Sequence, residues 1–597
     1  MIKPAIVAGV ALTLISCGGG GGDPGPFVLT TPKTLSLEGT AATGLAIMNA
    51  PVGIKCSTGE TTTTTDDDGN YKVTISGGEG PCVLQVTDPV SKLTLHSLTE
   101  KGSARANINP ITELVAANLF RRAPVEVFRS FGQADSERVV SATVREATER
   151  VRSAVIELIG TNDLASVDPM TVKMEAASPA KTGDAFDRKL DVLMTTLTAS
   201  GKRIDTLAAS LSTAKTADEV KLNLLSEVGA ARHGIESCPY VRSGRFWALS
   251  MNDLPLTLSV DATPDERGRY LISDARSRVP RYYATEQRNT AGAIISCFFK
   301  LVSVDGLISG DMQIAASGLG GYRLFSSQGR WDAGVIVPSG GPIELSDRAL
   351  VGSYGALLWV TTPPRLTGGA ARFNVRADGS VTGFLCDLTK AAQDCTIPVI
   401  PDDDQAQCKL ADFGSLECTS PEFAATVVPF VQGPRVMAFY VFTRISVSGM
   451  PKNSRAVAIL SKSVPLRMPS KIGQVSPVFW QLSSNSSYTV TSSPFATQNR
   501  IIALDTVNAR YTTQTVLPQY PQTFTVQLNK PTEGMSLTTN DLTGSKTIRL
   551  YPTASVLPGD IQFSLVGQSS NPDTFDAGAL SVTTGVIDPE ALRVASP

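Results

Sequence analysis

The chain has 597 residues, with 53 Lys and Arg against 55 Asp and Glu, 2 His, 9 Cys, 50 Gly and 37 Pro. Length alone allows about four domains. A near-neutral chain with no basic block lacks the charge a nucleic-acid binder needs, two His exclude His-rich metal sites, and a 42% apolar fraction is ample for folded cores.

The N-terminus predicts export. Lys3 precedes residues 5–15, an apolar run interrupted by Gly9 and Thr13. That run is shorter than the roughly 20 residues that cross a bilayer as a helix. It ends in Leu14-Ile15-Ser16-Cys17, which resembles a bacterial lipobox, the recognition sequence of lipoproteins. The resemblance implies cleavage before Cys17 and lipidation of that thiol, hence a membrane partner reached through a lipid anchor. Gly18, where inner-membrane lipoproteins typically carry Asp, implies the outer membrane. Residues 1–17 are therefore read as a lipoprotein signal peptide, and 18–34, rich in Gly and Pro, as a flexible tether.

Cysteine number fits an oxidising compartment. Without Cys17, eight remain, and none forms a C-x-x-C motif. Pairs Cys56–Cys82 and Cys238–Cys297 are predicted from their clustering. Cys386, Cys395, Cys408 and Cys418 leave three connectivities open. The short polar loops between neighbouring apolar runs favour 386–395 and 408–418.

In chain order, 35–108 comes first. Its segment Cys82-Val83-Leu84-Gln85-Val86 alternates at period two, which predicts a strand. With Gly39, Pro51, Val52 and the turn Asp66-Asp67-Asp68-Gly69-Asn70-Tyr71, the region resembles the carboxypeptidase regulatory-like family. The resemblance implies a small transthyretin-like β-sandwich. Region 109–232 turns helical: Asn109 can cap a helix that has Pro110 at its first position. Val140, Val144, Ala147, Val151, Val155 and Leu158 make one helical face, as do Phe186, Leu190, Leu193 and Leu197. Thr216 with Glu219 predicts a capping box ahead of Val220 and Leu224. Four or five helices are expected.

From 238 onward, short runs of Val, Ile, Thr, Phe and Tyr between Gly, Pro, Asn and Ser predict all-β modules, sandwiches or barrels, over 238–345, 346–470 and 471–597. Gly244-Arg245-Phe246-Trp247-Ala248-Leu249 is echoed by Gly352-Ser353-Tyr354-Gly355-Ala356-Leu357, with a weaker third start at Gly473. The fold expected is thus multidomain α+β, mainly β.

Motifs with chemistry are sparse. His233-Gly234-Ile235-Glu236 has two zinc-type ligands but no later His to complete the three a catalytic site takes. Ser178-Pro179-Ala180-Lys181 and Lys181-Thr182-Gly183 share one Lys, whereas penicillin-binding chemistry needs two separate motifs. Gly306-Leu307-Ile308-Ser309-Gly310 is a residue too long for a nucleophile elbow. The acidic triplets at 66–68 and 402–404 read as turns, since Asp bonds its own backbone, rather than as Ca²⁺ ligands. Trp247, Trp331, Trp359 and Trp480 read as strand anchors more readily than as a sugar platform. No catalytic, metal or cofactor residue is assigned. The expected role is non-catalytic binding, adhesion or envelope structure, with a surface glycan or protein as ligand. Two alternatives stand beside it: a glycan hydrolase using carboxylates of the C-terminal modules, or a small-ligand or lipid carrier if those modules are barrels with a lined cavity.

Overall fold

A computed structural model describes residues 34–585 apart from shorter interior segments, the longest being 229–237, 387–394, 446–453, 486–494, 552–560 and 568–576. Cys17, His233, Glu236 and Asp402 to Asp404 lie outside the described residues.

The first module is a small sandwich. Thr34–Thr40 pairs with Asn70–Ser76, and a second sheet orders Glu60–Thr64, Pro51–Thr58, Glu79–Thr87 and Thr94–Thr99. The acidic triplet makes the turn its chemistry predicts. Asp66 Oδ1 accepts from the N–H groups of Asp68 (2.9 Å) and Asn70 (2.7 Å), and Gly69 takes φ +76°. Tyr71 is buried and donates to the Ala106 carbonyl.

Seven helices follow among the described residues. The total exceeds the expected four or five, and three are short: Pro124–Ser130, Gln133–Ser136 and Ile204–Leu211. The first two are too short to show a repeating apolar face, whereas Ile204–Leu211 buries Ile204, Leu207, Ala208 and Leu211 on one face. Asn109 Oδ1 accepts from Ile111 and Thr112 N–H, 3.0 Å each, at the start of Pro110–Phe120. In Ser141–Ile159 the predicted face is buried from Val144 to Leu158, while Val140 precedes the helix and is exposed. The sandwich and helices are not independent. Leu37 and Ile54 of the first and Leu114, Val151 and Leu190 of the second belong to one core. His96 joins them by its Nδ1, 2.8 Å from Glu113 Oε2.

The β region contains two kinds of module. Gly244–Ser250 through Trp331–Pro338 close an eight-stranded antiparallel barrel, and Phe479–Asn485 through Ala577–Gly585 close another. Between them Gly352–Thr362 to Ser454–Lys462 form a nine-stranded sheet. Its outermost strands are Cys395–Ile400 and Gln407–Leu410, and residues from both ends (Ile400, Leu416) share its inner core. Four disulfides are present: Cys56–Cys82, Cys238–Cys297, Cys386–Cys395 and Cys408–Cys418. The last two clip the hairpins at the two borders of the nine-stranded sheet.

The alternating strand faces explain the assembly. In the first barrel Phe246 and Ala248 point inward, while Trp247 and Leu249 point out. In the middle sheet Tyr354, Ala356 and Leu358 face inward, and Leu357 and Trp359 outward. The outward residues of these two, with Phe439 and with Phe563 and Leu565 of the second barrel, make one further core. The echo between residues 244–249 and 352–357 therefore has a geometric counterpart: Phe246 and Tyr354 face inward, and Leu249 and Leu357 share the outer core. Trp247 and Trp359, both 3% exposed, are anchors of that core; the side chains of Trp331 and Trp480 lie outside the described residues.

Candidate functional site

The three β modules differ in what fills them. The middle sheet wraps fully buried aromatics, among them Tyr354, Phe373, Phe423, Tyr440 and Phe442. The second barrel buries polar side chains, Ser536, Thr538, Gln562 and Ser564. The first barrel encloses a cavity of about 700 Å³, within the size range of small-molecule pockets. Its wall is mostly aliphatic: Leu256, Leu258, Ile272, Leu301, Met312 and Leu324. Small side chains on adjoining strands leave the space open, since Ala248 and Ser250 occupy inward positions. Gly334 permits Tyr322 to lie flat across the wall, because a Cβ there would stand 2.8 Å from the phenol oxygen.

One patch of the lumen is polar. The Ser250 hydroxyl donates to Asp332 Oδ1 at 2.7 Å, and the Tyr322 phenol donates to Oδ2 at 3.2 Å. Burial, reinforced by the Asp332 carboxylate, pushes the Tyr322 phenol well above its ordinary range, so it stays protonated as a donor. Arg281, held by Asp274 at 2.9 Å, reaches the same cavity. Aliphatic walls with a few hydrogen-bonding groups suit a small molecule that is mainly apolar and carries a polar group.

The motifs singled out from sequence fall elsewhere. Lys181 Nζ pairs with Asp68 (2.9 Å) and Glu175 (3.0 Å), and Ser178 donates to Asp68 at 2.6 Å. The hydrogen bond to Asp68, with that to Glu175, raises the Lys181 pKa, which favours the charged ammonium in these pairs. Ser309 lies exposed on Ile308–Ile314, after a hairpin turn at Gly306. Among the described residues no group of three His, Cys, Asp or Glu could hold a metal ion, and no helix is long and apolar enough to cross a membrane. Ser250, Tyr322 and Asp332 escaped sequence reasoning. Each sits singly in an ordinary strand, and only barrel closure brings Ser250 beside Asp332.

No family model matches the chain, and no curated protein is similar to it. Three solved structures bear a distant likeness. One is a protein of unknown function of the DUF3598 family from Nostoc punctiforme, 12% identical, covering 40% of this chain and 96% of that one, TM-score 0.16. Another is the isotype 1 transferrin binding protein B from serogroup B Neisseria meningitidis, 9% identical, with 55% and 65% covered, TM-score 0.16. The third is a family 43 glycoside hydrolase from Bacillus licheniformis, 8% identical, with 55% and 84% covered, TM-score 0.14. Scores this low support no conclusion about function.

Proposed function

We propose that the chain is a non-catalytic binding lipoprotein of the bacterial outer membrane, anchored through Cys17, and that its first barrel carries a small, mainly apolar ligand. The observation that carries the reading is the aliphatic lumen of about 700 Å³ with its Ser250–Asp332–Tyr322 patch. The lipobox-like Leu14-Ile15-Ser16-Cys17 and the paired cysteines support the address.

The two parts are tested separately. Displacement of a fluorescent fatty acid reads the lumen. Met312→Trp, which fills the cavity from its own wall, is expected to weaken binding at least about tenfold, a difference of about 1.4 kcal/mol, while circular dichroism stays unchanged. Equal binding by both forms rejects the lumen as the site. For the anchor, labelled palmitate is expected on the wild-type chain and not on Cys17→Ala. Equal membrane partition of the two, without label on either, rejects it.

A further inference from the structure

The first barrel has two unlike ends. At one, the turn between Ile308–Ile314 and Gly320–Ser326 is sealed by the helix Ala185–Ala199, whose Thr195 hydroxyl donates to the Ala316 carbonyl at 2.6 Å. Another loop at that end, residues 261–269, is polar and exposed through most of its length. At the opposite end four hairpins turn, and three of them are stitched side by side. The Val304 N–H donates to the Arg281 carbonyl at 3.0 Å, and the Ser327 N–H to the Leu307 carbonyl at 2.9 Å. Arg281, Ile308 and Gly329 line the lumen from these loops or beside them. The cavity therefore reaches the barrel's end among these hairpins.

Hairpin tips are usually polar for reasons of turn chemistry. These are not. Leu254 is 57% exposed, Val279 56%, Val304 48% and Leu307 58%, and all four belong to hairpins of the same end. A cluster of exposed aliphatic tips around one opening marks an interaction surface. Among the described residues its charges are largely committed: Arg281 pairs with Asp274, Arg276 with Asp412 at 3.5 Å, and Asp305 accepts from its own loop at Leu307 N–H. Arg278, exposed beside Val279, lies outside those pairs. A lumen that takes an apolar ligand meets little of it in water and much of it in lipid.

We propose that the rim formed by Leu254, Val279, Val304 and Leu307 docks on a phospholipid bilayer, with Arg278 at the headgroup phosphates, so that the first barrel exchanges its ligand directly with the lipid phase. This rests on the reading of the lumen as an apolar-ligand site. Aliphatic side chains enter the headgroup and acyl boundary favourably, and a basic residue beside them meets phosphate.

The test uses the full chain carrying Cys17→Ser, in which the eight remaining cysteines are joined in pairs. A thiol introduced by Leu307→Cys is labelled with an environment-sensitive nitrobenzoxadiazole dye. Val507→Cys, on the exposed turn of the second barrel, serves as the distant control. Vesicles of phosphatidylethanolamine and phosphatidylglycerol are expected to blue-shift the dye at 307 and leave it unchanged at 507. No shift at 307, or equal shifts at both sites, overturns the proposal even where the chain floats with vesicles through another segment. The double variant Val279→Asp with Leu307→Asp is expected to lose vesicle binding about tenfold or more yet displace fluorescent fatty acid from solution as the parent does. Retained vesicle binding in that variant overturns the docking. A shift at 307 in a chain that takes no fatty acid supports docking and rejects the lumen reading.

Discussion

Asp187 is wholly enclosed near the start of the helix Ala185–Ala199, where its Oδ2 accepts from the Ala177 N–H at 2.9 Å. Burial holds its carboxyl well above the ordinary range, with Asp184 adding to the shift and Arg435 and Arg188 opposing it. Asp191, one turn along, faces Arg435 at 3.6 Å. A carboxyl with a raised native pKa contributes stability that is complete below its unfolded value and lost as pH rises through the folded one. Asp187→Asn keeps an acceptor for Ala177 and removes the titration. Thermal melts between about pH 4 and pH 8 are therefore expected to show a smaller decline in the variant than in the wild type. An identical decline assigns the titration to another group. Nothing in the local sequence around Asp187 marks it, because an acid in a first helical turn is ordinarily a solvated partner of the helix dipole. Its burial comes from distant chain, the Arg435 hairpin included. Ser250, Tyr322 and Asp332 were hidden for the same reason.

Strands carry a signal that is legible locally and one that is not. Residues 435–442 read Arg-Val-Met-Ala-Phe-Tyr-Val-Phe, apolar at every position after the first. The general strand character of the region after 238 was legible, and so was the helical character of Ser141–Ile159, whose apolar spacing repeats over 19 residues. That such a strand is covered on both faces follows from its composition, but not by what. In the structure Val436, Ala438, Tyr440 and Phe442 fill the sheet's interior, and Met437, Phe439 and Val441 meet the neighbouring barrels. Phe439 is fully buried with its ring centroid 6.1 Å from that of Phe563, edge to face. Phe439→Ala is expected to cost about 3–5 kcal/mol, the usual loss for a buried aromatic, read from denaturant unfolding. A loss below about 1 kcal/mol would show that this face is not a packed interface.

Across the whole molecule, distant segments are fastened by single polar groups. Gln432 Nε2 reaches the Ser317 carbonyl and the Thr198 hydroxyl, 3.2 Å each, joining sheet, first barrel and helix. Lys462, at the end of the middle sheet, donates to the carbonyls of Ala349 (2.7 Å) and Val90 (3.0 Å), the latter in the N-terminal sandwich. Burial, with Lys92 nearby, pulls the Lys462 ammonium down to about 8, against the opposing pull of Asp88 and Asp347. A lysine depressed in the folded state binds fewer protons there than in the unfolded chain between the two pKa values. Its contribution to stability therefore rises with pH from about 8 toward its ordinary value. Lys462→Met is expected to flatten that rise in thermal melts, and a parallel curve would absolve Lys462. The passage from strands to helices and back to strands was readable from the change of hydrophobic period at residue 109 and again near 238. How they lean on one another was not, since the contacts join residues hundreds of positions apart. The two short crosslinks of the nine-stranded sheet sit at its margins. A curled sheet with free margins invites a foreign strand to zip alongside, and here each margin is riveted to its neighbour by sulfur. Reductant would unfasten both margins together, leaving a molecule that clumps before it melts.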